Sequence, residues 1–113
     1  MYELSKSQKK IARRLIDKGL QIECGECLKK VELLLSNNKS DNLSAHETYL
    51  ELYQLIEKFD KHIAQRYDRL GGSRYFITVL RLFMEDVISL KDLEDFNSEI
   101  RDKLLELRKT LSE

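Results

Sequence analysis

The sequence predicts an all-α fold: a bundle of four to five helices built on a long antiparallel helix hairpin. None of the 113 residues is proline, whereas a β-rich or loop-rich chain would need several in its turns. Apolar side chains recur at steps of three and four over long stretches, which is the spacing of one helix face. With 42% hydrophobic and 35% charged residues, the chain has enough apolar surface for a core, and its length fits one helical domain spanning residues 1–113.

The first helix is predicted from about Ser5 to about Ser36. Ser5 can accept a hydrogen bond as its N-cap, and Gln8 occupies the reciprocal position of a capping box. The stripe that should face a core comprises Ile16, Leu20, Cys24, Cys27, Val31 and Leu34. A run of polar, turn-forming residues at 37–42 then predicts a loop.

The second helix is predicted to begin after Ser44, with Glu47 completing a capping box, and to end at Gly71-Gly72. Its stripe comprises Tyr49, Leu52, Ile56, Phe59, Ile63, Tyr67 and Leu70. Because a short loop joins two stripes of about equal length, the two helices should lie antiparallel, and the later helices should close over their seam. A hairpin this long in a short chain is expected to leave apolar surface uncovered, which makes a homodimer plausible.

Three further elements are predicted. A third helix, capped by Ser73 and reaching about Val87, carries apolar residues on more than one face and should be the most buried. A short helix opens at Ser89, with Asp92 three residues on. The last helix is capped by Asn97 or by the serine after it, and its stripe comprises Ile100, Leu104, Leu107 and Leu111.

Composition excludes several classes of protein. The formal net charge is zero, so bulk electrostatics favour neither nucleic acid nor an anionic membrane as a partner. No apolar run approaches the roughly 18 residues that a membrane-spanning helix needs. The first residues lack the charged-then-apolar pattern of a signal peptide, and two cysteines do not make a secreted disulfide framework. A cytoplasmic location is therefore expected.

The segment Cys24-Gly25-Glu26-Cys27 has the spacing of a metal-binding or redox-active cysteine pair. Structural zinc needs four ligands, and the other candidates of the usual type, His46 and His62, are too far apart for a zinc finger. Both cysteines fall on the apolar stripe, where free cysteine behaves as a small hydrophobe. The favoured interpretation is that they are core residues, with metal binding or redox chemistry as the alternative. No metal or cofactor is predicted.

The junction between the second and third helices is the most unusual stretch and the candidate site for an anion or an acidic partner. Positive charge gathers there next to a helix N-terminus and to glycines that let an anion approach the backbone. The candidate residues are Lys61, His62, Arg66, Arg69, Gly71, Gly72, Ser73 and Arg74. The alternative is a glycine C-cap followed by a serine N-cap among solvated arginines, because the segment does not match a P-loop.

Two charged stretches of opposite sign complete the candidates. The basic one comprises Lys6, Lys9, Lys10, Arg13, Arg14 and Lys18, and the acidic one comprises Glu85, Asp86, Asp92, Glu94, Asp95 and Glu99. The basic face could meet nucleic acid or phospholipid, but aromatic residues for base stacking are not interleaved with it. A solvated face is favoured, with the two stretches pairing within the fold or between subunits.

No catalytic constellation is recognisable, and the chain is not predicted to be an enzyme. The ExxH pairs of di-iron bundles are absent, as is a GxSxG elbow. An enzyme that uses His62 with a neighbouring carboxylate is the remaining catalytic hypothesis. The tyrosines at helical spacing are interpreted as residues at the edge of the core, with hydroxyls that reach water or a partner.

Three segments carry a resemblance to known proteins: Leu4 to Arg13 (LSKSQKKIAR), Phe59 to Asp68 (FDKHIAQRYD) and Ile88 to Phe96 (ISLKDLEDF). In these stretches the chain resembles a small group of uncharacterised all-helical bacterial proteins. The resemblance implies a stand-alone cytoplasmic helical domain and no known activity or site residue.

The sequence thus favours a small helical interaction or regulatory protein that binds a protein partner or itself through leftover apolar surface ringed by charge. The alternative is an anion- or nucleic-acid-binding module centred on the junction between Arg66 and Arg74. A membrane partner is not expected.

Overall fold

The structure, a computed structural model, describes residues 3–68, 70–71 and 74–112. Its helices are α1 (Lys6–Ser40), α2 (Ala45–Tyr67), α3 (Arg74–Met84) and α4 (Ser98–Ser112), with a 3₁₀ turn at Lys91–Leu93. No strand occurs among the described residues, which confirms the predicted all-α bundle with its long helix hairpin. The chain forms two compact units, residues 1–21 with 69–113 and residues 22–68, so that α1 contributes to both.

The first unit holds most of the hydrophobic core. The first half of α1, α3, α4 and the segment between α3 and α4 supply its large buried side chains. Among these are Leu15, Ile16, Phe76, Val79, Leu80, Leu82, Phe83, Ile88, Leu93, Phe96, Ile100 and Leu104. As its apolar pattern predicted, α3 is the most extensively buried helix, because apolar residues occupy more than one of its faces.

Hydrogen bonds at the starts of α1 and α4 connect these two helices within the first unit. Ser5 Oγ accepts from the backbone N–H of Gln8 at 3.3 Å, so the predicted cap of α1 is present. The Gln8 side chain does not complete a capping box. Its Oε1 instead accepts from the backbone N–H of Asn97 at 3.0 Å, while Asn97 Oδ1 caps α4 by accepting from Ile100 N–H at 2.9 Å. Gln8 is buried, and this bond joins the starts of α1 and α4.

The first helix ends one turn later than predicted, at Ser40 instead of about Ser36. Asn42 adopts a left-handed conformation with φ of 59°, and the Leu43 N–H reaches back to the Asn38 carbonyl at 3.0 Å. This is the Schellman arrangement, in which asparagine tolerates positive φ better than most residues. The prediction that residues 37–40 form a loop is therefore wrong: polar composition does not prevent helix when a cap of this kind lies further on.

The loop between α1 and α2 is supported by side chains on both sides. Asn38 is buried, and its side-chain amide donates to Thr48 Oγ1 at 3.3 Å and to the Glu51 carboxylate. The capping box of Ser44 and Glu47 predicted for α2 is formed. Helix α2 is thus tied to the end of α1 within two turns of its own start.

The α2–α3 junction differs from its prediction. Helix α2 ends at Tyr67, because Asp68 is extended with φ of −78° and ψ of 150°. The predicted stop at Gly71-Gly72 and the cap at Ser73 fall partly outside the described residues, since Gly72 and Ser73 are not among them.

A second left-handed residue ends α3 at Met84, earlier than the predicted Val87. Asp86 has φ of 58°, and the Val87 N–H donates to the Leu82 carbonyl at 2.9 Å. Arg108 of α4 holds this end in place: its guanidinium lies over the Phe83 ring and donates to the Phe83 carbonyl and to Asp86, each at 2.7 Å.

Replacing Leu104 with alanine tests the core of the first unit. Leu104 is fully buried, so Leu104→Ala should lower the free energy of unfolding by about 2–5 kcal/mol, measured by urea denaturation. Its neighbour Leu105 is 38% exposed and provides the matched control. Leu105→Ala should cost about 1 kcal/mol or less, because less surface leaves water. Equal losses of unfolding free energy in the two variants would contradict the placement of Leu104 in the core.

Candidate interaction surface

The second unit is a two-helix hairpin with almost no interior. Within residues 22–68, all of which the structure describes, Cys27 is the sole buried hydrophobic residue. No residue of the 23-residue helix α2 is buried, although its apolar stripe was predicted to be covered by later helices. A helix that packs on one neighbour can bury only the strip in contact, so apolar side chains beside that strip stay in water.

Those side chains form a surface that we call the hairpin face: Leu28 and Leu35 on α1 and Tyr49, Tyr53 and Ile56 on α2. They are between 43% and 63% exposed. Steps of three, four and seven place the members from each helix on one side of that helix. In an antiparallel pair these two sides lie on the same flank of the hairpin, where exposed Glu32 and Asp60 accompany the apolar side chains.

The opposite flank is a cleft of about 360 Å³ with mixed charge. It is lined by Glu23, Glu26, Cys27, Lys30, Leu55, Lys58, Phe59 and His62. Two lysines and two glutamates share the lining with the apolar side chains of Cys27, Leu55 and Phe59. The cleft therefore combines charged and apolar side chains.

A buried carboxylate joins α1 to α2 at the end of the hairpin away from the loop. Glu23 Oε1 accepts from His62 Nε2 and from an Arg66 guanidinium N–H, each at 2.8 Å, and Oε2 accepts from the Tyr67 hydroxyl. The side chains of Glu23 and Arg66 are each only 10% exposed. Three donors from two successive turns of α2 thus converge on one carboxylate, which fixes the register of the two helices.

The surroundings of this carboxylate shift two pKa values in opposite directions. Burial raises the pKa of Glu23, but the hydrogen bonds from Tyr67 and His62 and the charge of Arg66 outweigh burial and lower it below its usual value. Burial, together with the hydrogen bond to Glu23 and its negative charge, raises the pKa of Tyr67 well above that of free tyrosine. Glu23 therefore stays charged and Tyr67 neutral at physiological pH.

The structure places the residues of the predicted anion site in different surroundings. His62 and Arg66 contact the chain's own carboxylate at Glu23, which takes the place that an external anion would occupy between them. Lys61 is exposed and lies 3.5 Å from Glu57 one turn earlier.

In the first unit, the Arg74 backbone N–H donates to the Gly71 carbonyl at 3.0 Å, and both residues are exposed. Arg69, Gly72 and Ser73 lie outside the described residues. The anion or nucleic-acid site at this junction stays a prediction.

The two cysteines differ in environment. Cys27 is buried and Cys24 is half-buried, and both are free thiols. No group of three or more metal-ligating side chains occurs in the part of the chain that the structure describes. Burial of Cys27 agrees with its predicted place among the core residues, whereas Cys24 is only partly covered.

The charged stretches of the first unit pair with each other, as one of the predicted alternatives had it. Lys18 Nζ lies 2.5 Å from Asp92 Oδ1, and Arg14 contacts Asp95. Burial raises the pKa of Asp92, but the hydrogen bonds from Lys18 and Ser89 lower that pKa by more, so the net shift is downward. Such exposed pairs contribute at most about 1 kcal/mol each and orient α1 against the segment after α3.

The tyrosines vary in exposure. Tyr75 is buried, and its hydroxyl accepts from Arg13 Nε at 3.2 Å. Tyr49 and Tyr53, by contrast, belong to the hairpin face, and Tyr53 hydrogen-bonds to Glu57, which raises the pKa of Tyr53. These two tyrosines are more exposed than residues at the edge of the core, where they were predicted to lie.

Sequence reasoning missed Glu23, Leu28 and Leu35. Glu23 stands three residues after Leu20 and four before Cys27, so the apolar spacing itself places a carboxylate on the buried side of α1. Leu28 and Leu35 are seven residues apart, which puts them on one side of the helix, next to the main stripe.

Replacing Glu23 with glutamine tests the buried carboxylate. At pH 7, Glu23→Gln should lower the free energy of unfolding by about 1–3 kcal/mol, because His62, Arg66 and Tyr67 lose the charged carboxylate to which they donate. Since the folded pKa of Glu23 is lowered, its stabilisation is complete above the unfolded value of about 4.3 and is lost as the pH falls through the folded value. The difference in unfolding free energy between wild type and Glu23→Gln should therefore become smaller below about pH 4.3.

Glu26→Gln is the matched control for this measurement. Glu26 lies one turn along the same helix and is exposed, so its loss should change stability by no more than about 0.5 kcal/mol. Urea denaturation at pH 7, 5, 4 and 3 gives the required comparison. A pH-independent difference between wild type and Glu23→Gln would contradict the paired carboxylate.

The thiols should react at different rates in the native protein. A chromogenic disulfide reagent should modify half-buried Cys24 faster than buried Cys27, because reaction at Cys27 requires local opening. Cys24→Ser should remove the fast phase and Cys27→Ser the slow one. Two equally fast phases would show that Cys27 is accessible.

Comparison with known proteins adds no relative: no family model, curated protein or solved structure matches the chain. Among the described residues no helix is long and apolar enough to cross a membrane. Any function must therefore be inferred from the surfaces themselves, of which the hairpin face is the most unusual.

Proposed function

We propose that this chain is a small helical interaction or regulatory protein that binds a protein partner through the hairpin face. The observation that carries the proposal is the absence of any buried residue in α2, a helix whose apolar residues recur at core spacing throughout its 23 residues. A helix of this length gains most of its stability from packing its apolar side, and α1 alone covers only part of that side.

The composition of the hairpin face supports a protein partner. Contiguous apolar patches larger than a few hundred Å² are rare on monomeric proteins and mark interaction sites. Tyrosine is enriched in such sites because it combines a large apolar ring with a hydroxyl that can be hydrogen-bonded or hydrated. Tyr49 and Tyr53, each more than half exposed, lie one turn apart and provide two such rings.

The shape of the hairpin points to a helical partner. Two antiparallel helices leave a shallow groove between them, and an amphipathic helix can lay its apolar side in such a groove. Leu28 and Leu35 would contact it from α1, and Tyr53 and Ile56 from α2. Asp60 and Lys61, both exposed on α2, would contribute to a charged rim.

A photo-reactive phenylalanine analogue in place of Tyr53 tests the proposal in living cells. On irradiation it should form a discrete cross-linked species, and the additional substitution Ile56→Glu should abolish that species by placing a charge in the interface. The control carries the same analogue in place of Leu90, which is equally exposed but belongs to the first unit. Absence of a discrete product at Tyr53, or the same product from both positions, would count against the hairpin face.

A further inference from the structure

We propose that the occupant of the hairpin face is a second copy of this chain, so that two hairpins pack face to face as a four-helix bundle. The inference rests on the proposed function and names its partner. It follows from two properties of the second unit, its lack of an interior and the area of its exposed face, and from the zero net charge of the whole chain.

The apolar side chains of the hairpin need a partner surface whenever the hairpin is folded. Cys27 is the one buried hydrophobic residue between 22 and 68, all described, whereas the first unit has an extensive core of its own. Units below roughly 70–80 residues seldom obtain enough stability from one core, and oligomerisation is one of the ways in which small scaffolds add to it. A partner required at all times must be present in equal amount, and a second copy meets that condition without any other gene product.

The exposed area suits a small dimer interface. The five side chains of the hairpin face leave on the order of 500 Å² exposed on each hairpin, to be compared with roughly 800 Å² per partner in a standard stable interface. Half-buried Val31 and Leu52 lie between the exposed residues along their helices and would be covered further. Two hairpins would together bury on the order of 1,000 Å², which is the lower end for a specific interface.

A twofold axis satisfies the geometry. In an isologous dimer the same surface serves both partners, so Leu28, Leu35 and Ile56 of each copy would fill the centre of the bundle. Neighbouring helices in such a bundle cross at about 20°. The tyrosines would lie with their rings in the bundle and their hydroxyls toward its edge.

Charge does not oppose this pairing. The chain has a formal net charge of zero, so two copies approach without long-range repulsion. The exposed charges near the face are acidic Glu32, Glu57 and Asp60 and basic Lys61, so they include both signs.

Sedimentation velocity on the full chain provides the test. Wild type at micromolar concentration should sediment at twice the chain mass of 13.4 kDa, and its melting temperature should rise with protein concentration. The double variant Tyr53→Glu/Ile56→Glu should raise the dimer dissociation constant at least about 100-fold, since it places four charges in one apolar interface. The control Leu90→Glu/Leu111→Glu, at exposed positions in the first unit, should remain a dimer.

Two outcomes would overturn the inference. A monomer at all concentrations up to about 100 μM, with a melting temperature independent of concentration, excludes the second copy as the occupant. A dimer that persists in the Tyr53→Glu/Ile56→Glu variant places the contact elsewhere. Circular dichroism confirms that the variant is folded, and the wild-type concentration series decides the matter even where the variant unfolds.

The failure of this inference is distinguishable from failure of the proposed function. If wild type is a monomer but the analogue at Tyr53 still gives a discrete product heavier than the chain, another protein occupies the hairpin face and the proposed function survives. If wild type is a monomer and no product forms, both proposals fail.

Discussion

Helix α1 supplies apolar side chains to both units, and the number of helices that cover each half of it differs. Its first half lies with α3, α4 and the segment between them, so residues such as Leu15 and Ile16 are buried. Its second half has α2 alone in its unit. Burial along α1 depends on how many helices lie against it. The apolar stripe continues along the whole helix, but it is fully covered in the first half and only half covered in the second. The hairpin face is the direct result of this difference.

The hairpin compensates for its missing interior with polar contacts at both ends. Asn38 binds Thr48 and Glu51 next to the loop, and Glu23 binds three donors at the far end. A shift of α2 by one turn would leave the Glu23 carboxylate buried without its donors, which costs more than the apolar contacts of a slipped register would return. Hydrogen bonds therefore define the register of the two helices.

Local rules predicted the fold where the determinants lie close together in sequence. The box of Ser44 and Glu47, the cap at Asn97 and the burial of α3 each depend on residues within a few positions of one another. The end of α1 was placed one turn too early because the cap at Asn42 depends on a positive φ, which asparagine permits but does not require.

The candidate site was harder to predict, because its parts are distant in sequence. His62 and Arg66 were recognised as unusual, but their partner Glu23 is some forty positions earlier, so an internal ion pair and an external anion site have the same local signature. The hairpin face has a similar difficulty. Periodicity identifies which side of α2 is apolar, but the number of helices that will cover that side depends on the tertiary arrangement of the whole chain.

The two units also differ in how their sequence is arranged. Residues 22–68 are contiguous, whereas the first unit combines residues 1–21 with 69–113. During synthesis the hairpin is complete once Tyr67 has left the ribosome, but the other unit must wait for its final helix, because its contacts span nearly the whole chain. The surface that is least covered in the finished protein is thus also the first to emerge, before the larger core exists.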